Sequence, residues 1–224
     1  MKKNPFVLCV TNTVAANFTA NVLLAIGATP AMMEEPSEAA DLAALADAVL
    51  INVGTVTPEQ AEVMRAAIAS CQAHAKPWVL DPVGAHLLAY RQKLTEEFIS
   101  QKPSLIRGNL DEIHFFQGTV PDLTGSVPLL ATGEVDEIWG TVPSPKEPLK
   151  VSGGVQMLQT VTATGCAQGA VCAACLGDGL SPVEAALKAS RLMKRAGEMA
   201  YAKARLPGSF QVALVDALYE LTHD

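Results

Sequence analysis

A chain of 224 residues can bury a substantial core, and its length suits one α/β domain better than two small ones. Half of the residues are hydrophobic and 17% are charged, which excludes a disordered chain, and a net charge of −7 with no basic run excludes a general nucleic-acid binder. A site for one nucleotide needs only a few local positive groups and helix N-termini, so the acidic total leaves a small phosphorylated ligand open.

The basic start Met1 to Pro5 leads into Phe6 to Val10, an apolar run too short for a signal-peptide core that meets polar Thr11 and Asn12 at once. It reads as a first strand, and the expected location is the cytoplasm, with no segment long enough to span a membrane. Helical spacing follows from Ala15 to Ile26 and from Ser37 to Ala46, then a strand-like run from Ala48 to Asn52. Pro58, after Thr57, opens a helix predicted to reach His74. Strands at Trp78 to Asp81 and Ser104 to Ile106 flank a helix from Tyr90 to Gln101, and a further strand is expected at Val127 to Ala131. Strands alternating with helices predict an α/β fold with a mainly parallel sheet in a single domain, residues 1–224. From Glu134 to Val151 the short pieces broken by Gly140, Pro143, Pro145 and Pro148 predict an antiparallel excursion at a sheet edge. Helices resume at Cys166 to Leu176, apolar all round and therefore buried, at Pro182 to Ala204, and at Ser209 to Leu221 after Pro207-Gly208.

The five cysteines form an odd, scattered set in apolar contexts, as expected of reduced thiols. Cys172 and Cys175 make a C-x-x-C pair inside an alanine-rich helix with no second ligand pair nearby, so they read as small buried side chains. The four histidines show no ligand spacing.

The first four predicted strands end in Thr11-Asn12, Asn52-Val53-Gly54-Thr55, Asp81-Pro82-Val83-Gly84 and Arg107-Gly108-Asn109. In an open parallel sheet these carboxyl ends line the ligand crevice, although each alone is also ordinary turn or cap chemistry. Val161-Thr162-Ala163-Thr164-Gly165-Cys166 places small residues at the mouth of a helix, where backbone N–H groups can hold an anion without a basic side chain. A thiol there is expected to have its thiolate favoured by the helix terminus. A plain small-residue turn before a buried cysteine is the competing reading.

These segments, with Asn17-Phe18-Thr19-Ala20-Asn21, Leu23 to Met32, Leu50 to Thr55, Leu80 to Ala85, Ile106 to Ile113, Thr132 to Asp136 and Pro207 to Phe210, closely resemble the hydroxyethylthiazole kinase family in order and spacing along nearly the whole chain. The resemblance implies a ribokinase-like three-layer fold and a homotrimer with active sites at subunit interfaces. It also implies a reaction in which ATP and Mg²⁺ phosphorylate the hydroxyl of 4-methyl-5-(2-hydroxyethyl)thiazole, a step of thiamine salvage. By position in the matching blocks, Met32, Asn12 and Gly54 correspond to the thiazole pocket, and Ala163 takes the place of a substrate-binding glycine. Arg107, Thr132 and Gly165 correspond to the ATP site, while Asp81 and Glu112 match carboxylates that organise Mg²⁺ and its waters. Cys166 stands where many ribokinase-like enzymes carry a catalytic aspartate, and is expected to position the substrate hydroxyl and serve as a base.

Two departures from the pattern stand out. The segment between Glu112 and Thr132 is shorter than the family's, so that His114 to Gly118 is expected to reach the next strand by a loop through Pro121 and Gly125. Alanine at 163 is costly if that position needs positive φ and harmless if it does not. A thiazole-binding paralogue without catalysis, and a kinase for another small alcohol, are the alternative functions.

Overall fold

The computed structural model describes residues 4–140 and 147–223. In chain order it contains β1 (Phe6–Val10), α1 (Ala16–Ala25), β2 (Thr29–Met32), α2 (Pro36–Leu45), β3 (Ala48–Asn52) and α3 (Pro58–Ala73). There follow β4 (Trp78–Asp81), α4 (Ala89–Ser100), β5 (Leu105–Asn109), α5 (Leu110–Thr119), α6 (Leu123–Ser126) and β6 (Leu129–Thr132). The rest comprises β7 (Asp136–Trp139), β8 (Leu149–Val151), a 3₁₀ turn at Gln156–Gln159, α7 (Thr164–Gly177), α8 (Pro182–Lys203) and α9 (Pro207–His223). The eight strands form one sheet in the order β2-β1-β3-β4-β5-β6-β7-β8. Pairing is parallel from β2 to β6 and antiparallel from β6 to β8.

Every residue of β3 is buried, as a strand covered on both faces requires. Its side chains alternate: Ala48 and Leu50 join a core shared with α1, α7, α8 and α9, whereas Val49 and Ile51 join one shared with α2, α3, α4 and α5. The sheet is thus the middle of three layers. On the first face α7 lies against β1, β3 and β4, its Ala167, Ala170, Val171, Cys172, Ala173, Ala174 and Cys175 all buried. Small side chains let its backbone come close to the sheet. Phe98, Phe116 and Phe210 are the largest fully buried side chains, and truncating any of them to alanine costs about 3–5 kcal/mol. Among the described residues no helix is long and apolar enough to cross a membrane.

The expected antiparallel excursion is present as β7 and β8, with Pro143 and Pro145 lying outside the described residues. Three features differ from expectation. The edge strand β2 is present where no strand was expected, because an extended run containing Pro30 and half-buried residues carries little strand signal. The predicted loop after Glu112 is helical: His114 to Gly118 belong to α5, and α6 adds one more turn before β6. A capping box between Asn109 and Glu112 starts α5, and Ile113 and Phe116 on its inner face bury against the sheet. Pro207 and Gly208 lie in the first turn of α9 instead of preceding it, which suits a proline lacking an N–H.

Candidate active site

The parallel register brings the carboxyl ends of successive strands level, pairing Asn52 with Asp81 and Asn109 with Thr132. Asn12, just past β1, donates from Nδ2 to Asn52 Oδ1 at 2.9 Å and lies 3.3 Å from Cys166 Sγ. Asn52 donates in turn to Asp81 Oδ2 at 2.8 Å and accepts from the Gly54 amide at 3.0 Å. A Cβ at Gly54 would come within 2.9 Å of Asn12 Nδ2, so glycine is what permits this chain of amides to close. One buried network therefore joins Asn12, Asn52, Gly54, Asp81 and Cys166.

Asp81 is fully buried, and its pKa is raised to about 7. Burial is the main cause; the positive charge of Arg107 pulls the value down, and Glu112 pushes it up. Among the described residues its Oδ1 has no hydrogen-bond partner, and it sits 3.7 Å from Arg107 Nη1, a charge contact longer than a hydrogen bond. Arg107 Nη2 donates to Thr132 Oγ1 at 2.7 Å, and that hydroxyl donates to the Gly108 carbonyl at 3.1 Å. The Arg107 Nε is buried without a hydrogen-bond partner among the described residues. Glu112 accepts the Asn109 amide at 2.8 Å and the Gly84 amide at 2.7 Å, tying the loop after β4 to the start of α5.

At the mouth of α7, Ala163 adopts φ 69°, the left-handed region that glycine would take without strain. The methyl of alanine at this position is therefore costly. No side chain caps the helix, and among the described residues the amides of Thr164, Gly165 and Cys166 make no hydrogen bond. Gly165 packs on the Arg107 guanidinium so closely that a Cβ would lie 2.8 Å from Nη2. The turn opens onto a cavity of about 260 Å³ lined by Arg107, Asn109, Thr132, Thr164, Gly165 and Gln168 among others. A second cavity, about 480 Å³, shares Gly133, Leu158, Gln159 and Lys194 with the first and extends past Gly153 and Gln156.

Cys166 departs from expectation in its ionisation. Its pKa is raised, first by burial and then by the negative charge of Asp81, with Arg107 and the hydrogen bonds from Asn12 and Asn52 opposing. Desolvation and a neighbouring carboxylate outweigh the helix terminus, so the thiol is held protonated. Cys172 and Cys175 are buried within α7, their thiols likewise pushed up by burial.

The structure thus brings together Asn12, Gly54, Asp81, Arg107, Glu112, Thr132, Ala163, Gly165 and Cys166. Met32 ends the edge strand β2 opposite Cys9 of β1, half-buried and packed on the α7-side core, and lines neither of these two cavities. Sequence reasoning placed Asn52 at a strand end lining the crevice but gave it no role, although a buried asparagine closing a wholly apolar strand was a signal. It also missed Lys194, which lies with Ser190 on the buried face of α8 at helical spacing from Ala186, Ala189 and Met193. Among the described residues no group of three or more His, Cys, Asp or Glu is placed to hold a metal ion.

The model of the hydroxyethylthiazole kinase family matches residues 1–126 and 124–224. The chain belongs to the hydroxyethylthiazole kinase family. The hydroxyethylthiazole kinase of Cronobacter sakazakii is 43% identical over 237 residues, covering 96% of this chain and 88% of the relative. The structure of the Pyrococcus horikoshii hydroxyethylthiazole kinase superposes with a TM-score of 0.90 at 34% identity, over 98% of this chain and 89% of that one. A ribokinase-like superfamily protein from Enterococcus faecalis, 12% identical, shares the fold with a TM-score of 0.66 over 98% of this chain and 88% of its own. The fold is ribokinase-like, and the protein is a phosphotransferase of the hydroxyethylthiazole kinase family. The break in the family match falls at residues 124–126, inside the short segment between Glu112 and Thr132.

Proposed function

We propose that this hydroxyethylthiazole kinase family member transfers the γ-phosphoryl group of ATP to the hydroxyl of 4-methyl-5-(2-hydroxyethyl)thiazole, a reaction of thiamine salvage. The observation that carries the reading is the uncapped start of α7, whose free amides open onto a cavity beside Arg107 and next to Cys166. Phosphoryl transfer is mainly positioning and charge stabilisation. The Thr164, Gly165 and Cys166 amides and the dipole of α7 hold the phosphoryl oxygens, and Arg107, steadied by Thr132, offers its guanidinium to the charge that builds in transfer.

Cys166 positions the acceptor hydroxyl. Held as a thiol, Cys166 has no free site for that proton and serves as a base only in the fraction ionised to thiolate, which the negative charge of Asp81, a group that titrates near neutral pH, holds down. General-base help contributes about 10²–10⁴-fold, so most of the acceleration falls to the anion-holding turn. Asn12 and Gly54 fix the wall of the acceptor pocket through Asn52, and the methyl of Ala163 narrows it.

Mg²⁺ entering with ATP would be held beside Asp81 and Glu112 and would offset the phosphate charge. Two carboxylates fit a hydrated ion: Asp81 has a buried Oδ1 with no hydrogen-bond donor, and Glu112 retains acceptor capacity on oxygens that each take one amide. Met32, at the end of the edge strand and outside the lining of these two cavities, is the acceptor-pocket residue that a neighbouring copy in a homotrimer would bring into use.

The reading is tested by coupled ADP release across a panel of small alcohols, with solution mass measured in parallel. Turnover is expected with the thiazole alcohol and at the mass of a trimer. Calorimetric binding of the alcohol without ADP formation would replace the kinase by a thiazole-binding protein.

A further inference from the structure

The two cavities share Gly133, Leu158, Gln159 and Lys194, and the walls of the larger come from different parts of the chain: the turn after β6, at Gly133 and Glu134, and the segment after β8, at Gly153 and Gly154. The β7–β8 pairing ends at Asp136 opposite Val151, and among the described residues no strand pairing continues beyond it to join the loops themselves. The Lys194 side chain of α8 joins them, its Nζ within 3.2 Å of the Gly133 carbonyl, 3.0 Å of the Glu134 carbonyl and 3.2 Å of the Gly153 carbonyl. The same ammonium lies 3.2 Å from Asp136 Oδ1, which also accepts the Gly133 amide at 3.1 Å. The other oxygen of Asp136 takes a short hydrogen bond from Ser190, one turn earlier on α8. One turn later, Glu198 accepts the Gly154 amide at 2.9 Å. The Lys194 stem packs beneath Gly154, where a Cβ would meet Cγ at 3.1 Å.

We propose that Lys194, with Asp136 and Ser190, is a positioning residue that sets the width of the nucleotide cleft by tying its two walls to α8; this rests on the reading of the cavities as the ATP site. A lysine lining a phosphate cavity invites assignment as a phosphate ligand. The geometry argues otherwise, because an ammonium has three donors and Lys194 already has four acceptors, three of them neutral carbonyls. Only 7% of the residue is exposed. Lys194 therefore acts on ATP through the loops it holds. Loss of the tie lets the Gly133 and Gly153 walls part, which weakens the nucleotide while leaving the Asn12–Asn52–Cys166 end unchanged.

The test compares wild type, Lys194→Met, Lys194→Met/Asp136→Asn and Ser190→Ala, using calorimetry with ATP alone and steady-state KM for the thiazole alcohol. Lys194→Met leaves a buried carboxylate unpaired and can fail to fold; the double variant removes both charges and restores a neutral interior. The double variant should bind ATP about tenfold or more weakly with KM for the alcohol within about twofold, a split that general loosening of the fold would not produce. Ser190→Ala should show the same split, smaller. A further variant, Lys194→Ala, should recover ATP affinity on addition of propylammonium, and folded Lys194→Ala protein with wild-type ATP affinity in its absence counts against the proposal. Wild-type ATP affinity in the double variant, or in Ser190→Ala if the double variant does not fold, overturns the proposal, as does an equal loss for both substrates. Absence of wild-type ADP release with the alcohol refutes the proposed acceptor only, since ATP binding alone decides the role of Lys194; absence of wild-type ATP binding refutes both.

Discussion

Two consecutive helices of this protein begin in opposite ways. At the start of α8, Ser181 and Glu184 form a reciprocal capping box with Pro182 in the first turn, so orphan amides are satisfied from within the chain. At the start of α7 there is no capping side chain, the preceding residue is an alanine in the left-handed region, and the first amides face a cavity. One beginning is built for stability. The other forgoes a cap worth about 1 kcal/mol and accepts backbone strain, and it leaves polarised N–H groups for an anion.

The sharpest way to break this contrast is Gly165→Ala. The new Cβ would meet the Arg107 guanidinium at 2.8 Å, displacing the cation from the turn. Steady-state kinetics should show kcat/KM for ATP falling by about 10²–10³-fold while thermal stability changes little. A variant with normal ATP kinetics would remove the α7 turn from the mechanism.

A second prediction concerns the charge beneath that turn. The native pKa of Asp81, about 7, lies above the roughly 3.9 of an unfolded aspartate, so between those values the folded chain holds more protons. This contribution to stability is fully present below the unfolded pKa and is lost as pH rises through about 7. Urea unfolding from pH 4 to 8 should register a decline of a few kcal/mol, at about 1.4 kcal/mol per pKa unit, and Asp81→Asn should flatten it. A slope of the opposite sign would mean that Arg107 dominates over burial.

Cys166 offers a smaller lever. Cys166→Ala should lower kcat by about tenfold to a hundredfold, whereas Cys166→Asp should keep or raise it, with its pH profile shifted because two carboxylates then share the site. Inactive, folded Cys166→Asp protein would argue against a positioning or base role for this side chain.

The mildest pair returns to the two helix starts. Ser181→Ala should cost about 1 kcal/mol in thermal unfolding without altering kinetics, and Ala163→Gly should add about 1 kcal/mol by relieving positive φ. Only the second should change KM for the alcohol, because only that residue stands on the proposed acceptor side.

Much of the candidate site was legible in the sequence. Asn12, Gly54, Asp81 and Arg107 each follow an apolar run of strand length, and in a parallel sheet such positions converge by construction. Strongly patterned helices such as α3 and α8 were readable to within a residue or so because proline and capping residues mark their starts. The α5–α6 crossover was misread as a loop because its shortness against the family pattern hid a helix that its own Asn109–Glu112 cap announces. Lys194 was missed because a single lysine on a long amphipathic helix looks like a solvent-facing residue until its acceptors are known.

The order of apolar runs and turn residues by itself determined a parallel sheet layered between helices, and with it the edge at which ligands gather, because side-chain periodicity and strand-end chemistry are local properties. Tertiary structure alone decided the protonation of Asp81 and Cys166, the left-handed cost at Ala163, and the tie made by Lys194. Each of those depends on which groups from distant segments share a dry interior, where a charge or a dipole acts far more strongly than it does in water.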